Sequence, residues 1–204
     1  MGKQSLRKTR MAILASGNGT NAERLIRHFA DSELAEVVCV MSDNPQSGVL
    51  QRAHNLGVPT QVLPRKVYND GEAFLAQLQA AGADFVILAG YLKLIPARVV
   101  TAFPKSLVNI HPALLPKFGG KGMYGMHVHE AVIAAGEKWS GITIHYVNEV
   151  YDAGEVIHQE SLRVQPDWSA ADLAHAIHQL EYQHFPRTLE LLLRQRRDLD
   201  ASLA

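Results

Sequence analysis

Asn109 and His111 stand two residues apart in Asn109-Ile110-His111-Pro112-Ala113-Leu114-Leu115-Pro116. The apolar run before them, Ser106-Leu107-Val108, reads as a buried strand. A spacing of two puts both side chains on one face of that strand. Pro112 then ends it. An amide and an imidazole side by side at the carboxyl end of a strand can stabilise an oxyanion and move a proton. A histidine that only hydrogen-bonds a turn is the plain alternative, and these residues alone do not choose.

A second candidate is the loop Ser16-Gly17-Asn18-Gly19-Thr20-Asn21, followed by Ala22. It fits the spacing G-x-G-x-x-G/A between a strand and a helix. Asp43 lies at the end of the second strand, where a ribose-binding acid would sit in a dinucleotide site. The loop is crowded with the hydrogen-bonding side chains of Ser16, Asn18, Thr20 and Asn21. Free N–H groups at a helix N-terminus, with hydroxyls and amides around them, suit a terminal phosphate monoester. A pyrophosphate bridge needs closer backbone approach and less clutter. The monoester is the favoured reading; a dinucleotide and a ligand-free turn are the alternatives.

A third candidate is Asp152, in the connection Asn148-Glu149-Val150-Tyr151-Asp152-Ala153-Gly154-Glu155. An acid there can reach His111, fix its tautomer and raise its pKa. A turn aspartate before a glycine is the ordinary alternative, and spacing does not decide. His127-x-His129-Glu130 invites a metal, but no third ligand converges with it, so no metal is expected. His175, His178 and His184 read as surface or packing residues, and Trp139 and Trp168 as anchoring aromatics.

The elements that must position these groups alternate between strand-like and helix-like. Met11 to Ala15 is the first strand, and a helix of about ten residues follows the glycine loop to near Ala30. Glu36–Met41, Thr60–Leu63, Asp84–Ala89 and the run ending in Asn-Ile-His read as further strands. Asp84–Ala89 is apolar after its first residue, as a central parallel strand should be. Helices are expected at Val49–Leu56, closed by Gly57, at Asp70–Ala81, closed by Gly82, and at Pro96–Ala102. Beyond Pro116, Phe118–Met126 carries four glycines and reads as a mobile loop. A short helix, His127–Ala135, and strands at Ile142–Val147 and Val156–Leu162 follow. Helices at Ala170–Tyr182, capped by Ser169, and Arg187–Arg196 are expected to break at Pro186. This order implies an α/β fold: a doubly wound, mostly parallel, Rossmann-like sheet with helices on both faces. Ligands in such sheets bind beyond the carboxyl ends of the strands, so the glycine loop, Gly90-Tyr91 and Asn109/His111 should converge.

Composition bounds the function. The 204 residues are 47% apolar, with 20 basic and 20 acidic side chains, so no net charge favours nucleic acid or a membrane. The lone Cys39 sits in an apolar run and reads as a packed thiol, which suits a reducing cytoplasm. No apolar run is long enough to span a bilayer. Residues 1–10 are basic and lack the apolar segment of a signal peptide; they read as a disordered leader, with residues 11–204 as one domain.

Four motifs occur in order: Ser-Gly-Asn-Gly-Thr-Asn after the first strand, Leu88-Ala89-Gly90-Tyr91-Leu92, Asn109 to Pro116, and Gly141-Ile-Thr-Ile-His-Tyr-Val147 with Asp152-Ala-Gly154. From about Met11 to Leu193 the chain resembles the folate-dependent formyltransferases, and the first loop points to their glycinamide ribonucleotide branch. The resemblance implies formyl transfer from 10-formyltetrahydrofolate, as co-substrate, to the amine of 5-phosphoribosylglycinamide. It implies small-molecule substrates, no metal, no nucleic acid, no membrane, and action as a monomer or homodimer. It implies Asn109, His111 and Asp152 as the catalytic trio. Gly19, Thr20 and Asn21 fall on the family's substrate-phosphate loop, and Glu181 on a glutamate that holds the substrate ribose. Leu92, Lys93, Leu94 and Ile95 fall on the folate pocket, as do Asn109, Asn148, Glu149, Val150, Tyr151 and Asp152. Leu115-Pro116 falls on a peptide bond that the family holds in cis. Two departures stand out. Gly71 replaces an arginine that some members place near the folate tail, so tail recognition either passes to Arg65 or Lys66 or is weaker. A Gly-Gly-Lys-Gly-Met-Tyr-Gly insertion follows Pro116 relative to the short bacterial form. Another formyl-folate transferase or hydrolase, or a nicotinamide-dinucleotide module, is the competing reading.

Overall fold

The most apolar strands lie at the centre of one seven-stranded sheet. In the computed structural model, which describes residues 7–203, β1 (Thr9–Leu14) pairs in parallel with β2 (Ala35–Ser42) on one side and β4 (Phe85–Leu88) on the other. All four residues of β4 are buried, as burial on both faces requires. β3 (Thr60–Val62) lies beyond β2, and β5 (Leu107–His111) beyond β4, both in parallel. β6 (Trp139–Tyr146) and β7 (Val156–Arg163) then add antiparallel, giving the order β3-β2-β1-β4-β5-β6-β7. The α/β, mostly parallel architecture is the one expected.

Each face of the sheet carries its own apolar layer. On one, Ala22, Leu25 and Phe29 of α1 (Thr20–Phe29) pack with Val49 of α2 (Gly48–Asn55), Val132 of α6 (Met126–Ala134) and Ile177, Phe185 and Leu189 of α7 (Ala170–Leu203). On the other, Phe74, Leu75 and Leu78 of α4 (Gly71–Ala80) pack with Val99 of α5 (Ala97–Ala102). Cys39 is buried in this second layer, and burial pushes its thiol up to about 11.

Four differences from the sequence reading have physical causes. β1 begins at Thr9 and the Arg7 guanidinium lies 3.3 Å from Asp84, so the ordered chain starts inside the expected 1–10 leader. Residues 1–6 of that leader lie outside the described residues. A single turn, α3 (Arg65–Tyr68), follows Pro64 and is too short to show a period. The two C-terminal helices are one, because α7 runs through Pro186. A proline inside a helix costs about 3 kcal/mol. Phe185 and Leu189, fully buried on either side of it, each return about 1.5–3 kcal/mol only if the helix continues in line. Finally, Ser169 does more than cap α7: its Oγ accepts from Asp172 N while Asp172 Oδ2 accepts from Ser169 N, a reciprocal capping box. The peptide bond Leu115-Pro116 is cis, as the resemblance implied.

Candidate active site

The sheet delivers three loops to one place. β1 and β4 are neighbours whose connections run to opposite sides, and a crevice opens beyond their carboxyl ends. A cavity of about 800 Å³ lies there. Gly19, Thr20, Asn21, Asn109, His111, Asp152 and Glu181 all line it. The three candidates of the sequence therefore share one cleft.

Within it, Asp152 is the hub. Its Oδ2 lies 3.5 Å from His111 Nδ1 and accepts from Gly120 N at 2.9 Å. Its Oδ1 accepts from Asn109 Nδ2 at 3.4 Å and lies 3.7 Å from His145 Nε2. His145 is the direct cross-strand partner of Asn109 in the β5–β6 register. Its Nδ1 donates to the Tyr146 carbonyl at 2.9 Å, which leaves Nε2 to accept from Asn109 Nδ2 at 3.1 Å. His111 is buried, and Nε2 donates to the Phe118 carbonyl at 2.7 Å.

Charge follows from these contacts. Burial pushes the Asp152 carboxyl up, but His145, His111 and the Gly120 N–H together outweigh it and hold it below its ordinary value. Burial likewise pushes His111 down, only partly offset by the Asp152 charge and the Phe118 carbonyl. Phe118 and Asp152 are both non-glycine residues in the left-handed region, at φ 55° and 54°. Each costs on the order of 1–3 kcal/mol, the kind of strain that persists where surrounding contacts over-determine it.

The glycine loop is held differently from its sequence reading. Ser16 Oγ is engaged by Asp43 and accepts from Leu92 N at 3.0 Å. Asn18 accepts from Arg52 through its backbone carbonyl at 2.9 Å and through Oδ1 at 3.3 Å. These contacts brace the loop and take up the Ser16 hydroxyl proton and Asn18 Oδ1. Gly19 caps α1 at φ 80°, and a Cβ there would sit 2.4 Å from Val49, so only glycine fits. No side chain caps this helix, and Gly19, Thr20 and Asn21 turn its N-terminal end to the cavity. Asn21 Nδ2 donates to Glu181 Oε2 at 2.9 Å. Burial raises the Glu181 carboxyl to about 7 against that bond. Asp43 carries Ser16 and lies 3.5 Å from Lys93, so the acid of the dinucleotide reading is already occupied.

Of the residues that the resemblance assigned to folate, Leu92, Asn109, Tyr151 and Asp152 line the cavity. The others flank it. Lys93 turns to Asp43 and the Tyr68 ring, Ile95 is packed in the core, and Leu94 is exposed. Asn148 Oδ1 accepts from Val150 N, and Glu149 and Val150 face solvent. At Gly71 a Cβ would lie 2.8 Å from the Arg98 side chain, which pairs with Glu72 at 2.6 Å; Arg65 and Lys66 are exposed.

A sequence profile described as "Formyl transferase" matches residues 9–189. The chain belongs to the formyl transferase family. It is 38% identical over 196 residues to the chloroplastic phosphoribosylglycinamide formyltransferase of Arabidopsis thaliana, covering 93% of this chain and 67% of that one. To the phosphoribosylglycinamide formyltransferase of Bacillus subtilis it is 33% identical over 192 residues, covering 90% of this chain and 94% of that one. The chain thus spans about two thirds of the length of its plant relatives. A crystal structure of phosphoribosylglycinamide formyltransferase from Bacillus halodurans superposes with a TM-score of 0.82 at 37% identity, over 91% of this chain and 95% of that one.

Sequence reasoning missed several groups in this candidate site. His145 stood in a quoted motif without a role, and only the β5–β6 register brings it to Asn109. His178, read as surface or packing, lies at the cavity with Tyr182. His129 also lines it, buried, with Nδ1 unpartnered and the ring pushed down to about 4 by burial. The inserted glycine loop forms the remaining wall through Gly120, Lys121, Met123 and Tyr124.

Proposed function

We propose that this chain transfers the formyl group of 10-formyltetrahydrofolate to the amine of 5-phosphoribosylglycinamide, a step of purine biosynthesis. One observation carries the reading: the Asn109–His111–Asp152 cluster opens into the same cavity as the bare N-terminus of α1. A phosphate monoester on Gly19, Thr20 and Asn21 would anchor the nucleotide. The ribose would meet Glu181.

The substrate nitrogen forms a bond to the formyl carbon, and negative charge gathers on the formyl oxygen. Asn109 supplies a donor to that oxygen by releasing its long 3.4 Å bond to Asp152. One such donor contributes roughly 3 kcal/mol to the transition state. The bond from the formyl carbon to the folate nitrogen then breaks, and that nitrogen takes a proton from His111 or a bound water. The proton that the attacking amine loses passes through solvent, beside Asp152, to Nδ1 of His111, and Asp152 supports the imidazolium until its Nε2 proton is given to the folate nitrogen. The formyl group arrives already activated on folate, so the step calls for no metal.

The pterin and benzoyl portions are assigned to the wall of Leu92 and Tyr151, with residues 93–95 and 148–150 as its flanks. Among the described residues no helix is long and apolar enough to cross a membrane. We assign the reaction to the cytoplasm on the strength of the single buried thiol, Cys39, and to a monomer or homodimer.

The test mixes the chain with both substrates and follows the absorbance change as formyl leaves folate. Turnover dependent on glycinamide ribonucleotide is expected. Loss of formyl to water alone would make the chain a hydrolase, and tight NAD binding without turnover would restore the dinucleotide reading.

A further inference from the structure

A second cluster of ligand-type side chains lies outside the cavity. His158 and Glu160 stand two residues apart on β7, so they share one face of the edge strand. His184 comes from α7, which packs against that face. Glu160 Oε2 lies 3.9 Å from His158 Nε2 and 3.8 Å from His184 Nδ1. One ligand atom from each residue falls within 4.8 Å of the other two, the single such trio of His, Cys, Asp or Glu among the described residues.

The trio is not a satisfied ion-pair network. His158 Nε2 is buried with no hydrogen-bond partner, and its distance to Glu160 exceeds hydrogen-bond length. A buried polar atom left unpaired is costly. The donor types are two imidazoles and one carboxylate, a set suited to zinc-class cations. Bonds of about 2.0–2.1 Å in a tetrahedron place donor atoms roughly 3.3 Å apart. The present separations exceed that by about half an ångström for the pairs through Glu160. The imidazole rings stack 5.5 Å apart and 16° from parallel, so one must turn to aim its lone pair inward. Both are partly exposed and have room to do so.

We propose that His158, Glu160 and His184 bind one zinc-class divalent cation, with water in the fourth position. The cation fastens the edge strand β7 to α7 and gives His158 Nε2 its missing partner. Zn²⁺, Co²⁺ and Ni²⁺ fit the donor set; Mg²⁺ and Ca²⁺, which require oxygen ligands, do not. His184 lies one helical turn beyond Glu181, but the site shares no residue with the cavity and does not depend on the formyl transfer reading.

The test uses the tag-free chain, because an affinity tag would itself bind the ion. Titration with Co²⁺ reads the visible absorption of a low-coordinate site, and Zn²⁺ calorimetry and thermal unfolding read stoichiometry and stabilisation. One Zn²⁺ per chain is expected, with a raised melting temperature, intense Co²⁺ bands that Zn²⁺ displaces, and no effect of millimolar Mg²⁺. His184→Ala should weaken Zn²⁺ binding at least tenfold, and Glu160→Gln, on a half-exposed side chain that the core does not need, should weaken it less. His127→Ala serves as a control on an exposed histidine and should change nothing. No saturable binding, or binding unaltered by both His184→Ala and Glu160→Gln, would overturn the site.

Discussion

Nε2 of His111 donates to the carbonyl of Phe118, 2.7 Å away. A carbonyl only accepts, so this nitrogen carries a proton and is held by the glycine-rich loop. The Gly120 N–H of the same loop occupies Asp152 Oδ2. The loop therefore covers both His111 and Asp152 at once. The left-handed conformations of Phe118 and Asp152 show that this arrangement carries strain. On the proposed mechanism, the Phe118 carbonyl must give way before the His111 proton can reach the folate nitrogen.

The first expectation concerns the charge on Asp152. Asp152→Asn keeps the shape of the side chain and its acceptor oxygen but removes the negative charge beside His111. The chain should fold normally by circular dichroism, and turnover should fall by on the order of 10²–10⁴. Activity within a few-fold of the parent would sink the assignment. The parent rate should also decline on the acid side, because the attacking amine must be neutral.

His145 yields a second expectation, as a positioning residue acting through Asn109. Removing its acceptor leaves the Asn109 amide free to turn. His145→Phe should lower kcat about tenfold or more while KM for either substrate moves little. His145→Gln, which restores an acceptor, should recover part of the loss. A change confined to KM would show that His145 shapes binding instead.

That His145 escaped notice marks the limit of sequence reading here. Asn109 and His111 were legible because a two-residue period fixes their common face within one strand. His145 reaches Asn109 through an antiparallel register, and register depends on long-range pairing that local pattern does not encode. The glycine loop was legible as a strand-to-helix turn. Its polar side chains were not, because the Ser16 hydroxyl and Asn18 Oδ1 answer to Asp43 and Arg52, partners distant in sequence. Pro186 misled for a related reason: propensity prices the lost hydrogen bond, while the buried neighbours Phe185 and Leu189 set the outcome.

Gly19 gives a third expectation. At φ 80° with Val49 2.4 Å from any Cβ, Gly19→Ala must displace either the loop or α2. The free N–H groups of α1 would then lose their aim at the anion. KM for glycinamide ribonucleotide should rise at least tenfold, with a smaller change for the folate. Gly17→Ala, where a Cβ meets open space, is the matched control and should be mild.

The last expectation sets two buried groups in the cavity against each other. Glu181 is raised to about 7, so its proton is bound more tightly in the folded chain than in the unfolded one. Its contribution is fully present below the unfolded value near 4.5 and is lost as pH rises through about 7. His129 is lowered to about 4, chiefly by burial and then by His178 and His111. Here the unfolded chain takes the proton first, so stability is lost as pH falls from 6.5 towards about 4. His111 and His178 are lowered too and add in the same sense. Either main effect amounts to at most about 3 kcal/mol, at 1.36 kcal/mol per unit. Between pH 4.5 and 6.5 the Glu181 slope opposes those of the three histidines and offsets part of their loss. Glu181→Gln should expose the histidine slope: the variant gains stability at pH 8 and then loses it on acidification. His129→Gln should do the reverse: with one histidine slope gone, the chain loses less stability than the parent as pH falls from 7 to 5. Denaturant unfolding at four or five pH values measures both, and parallel profiles for the two variants would show that neither group is held as these contacts require.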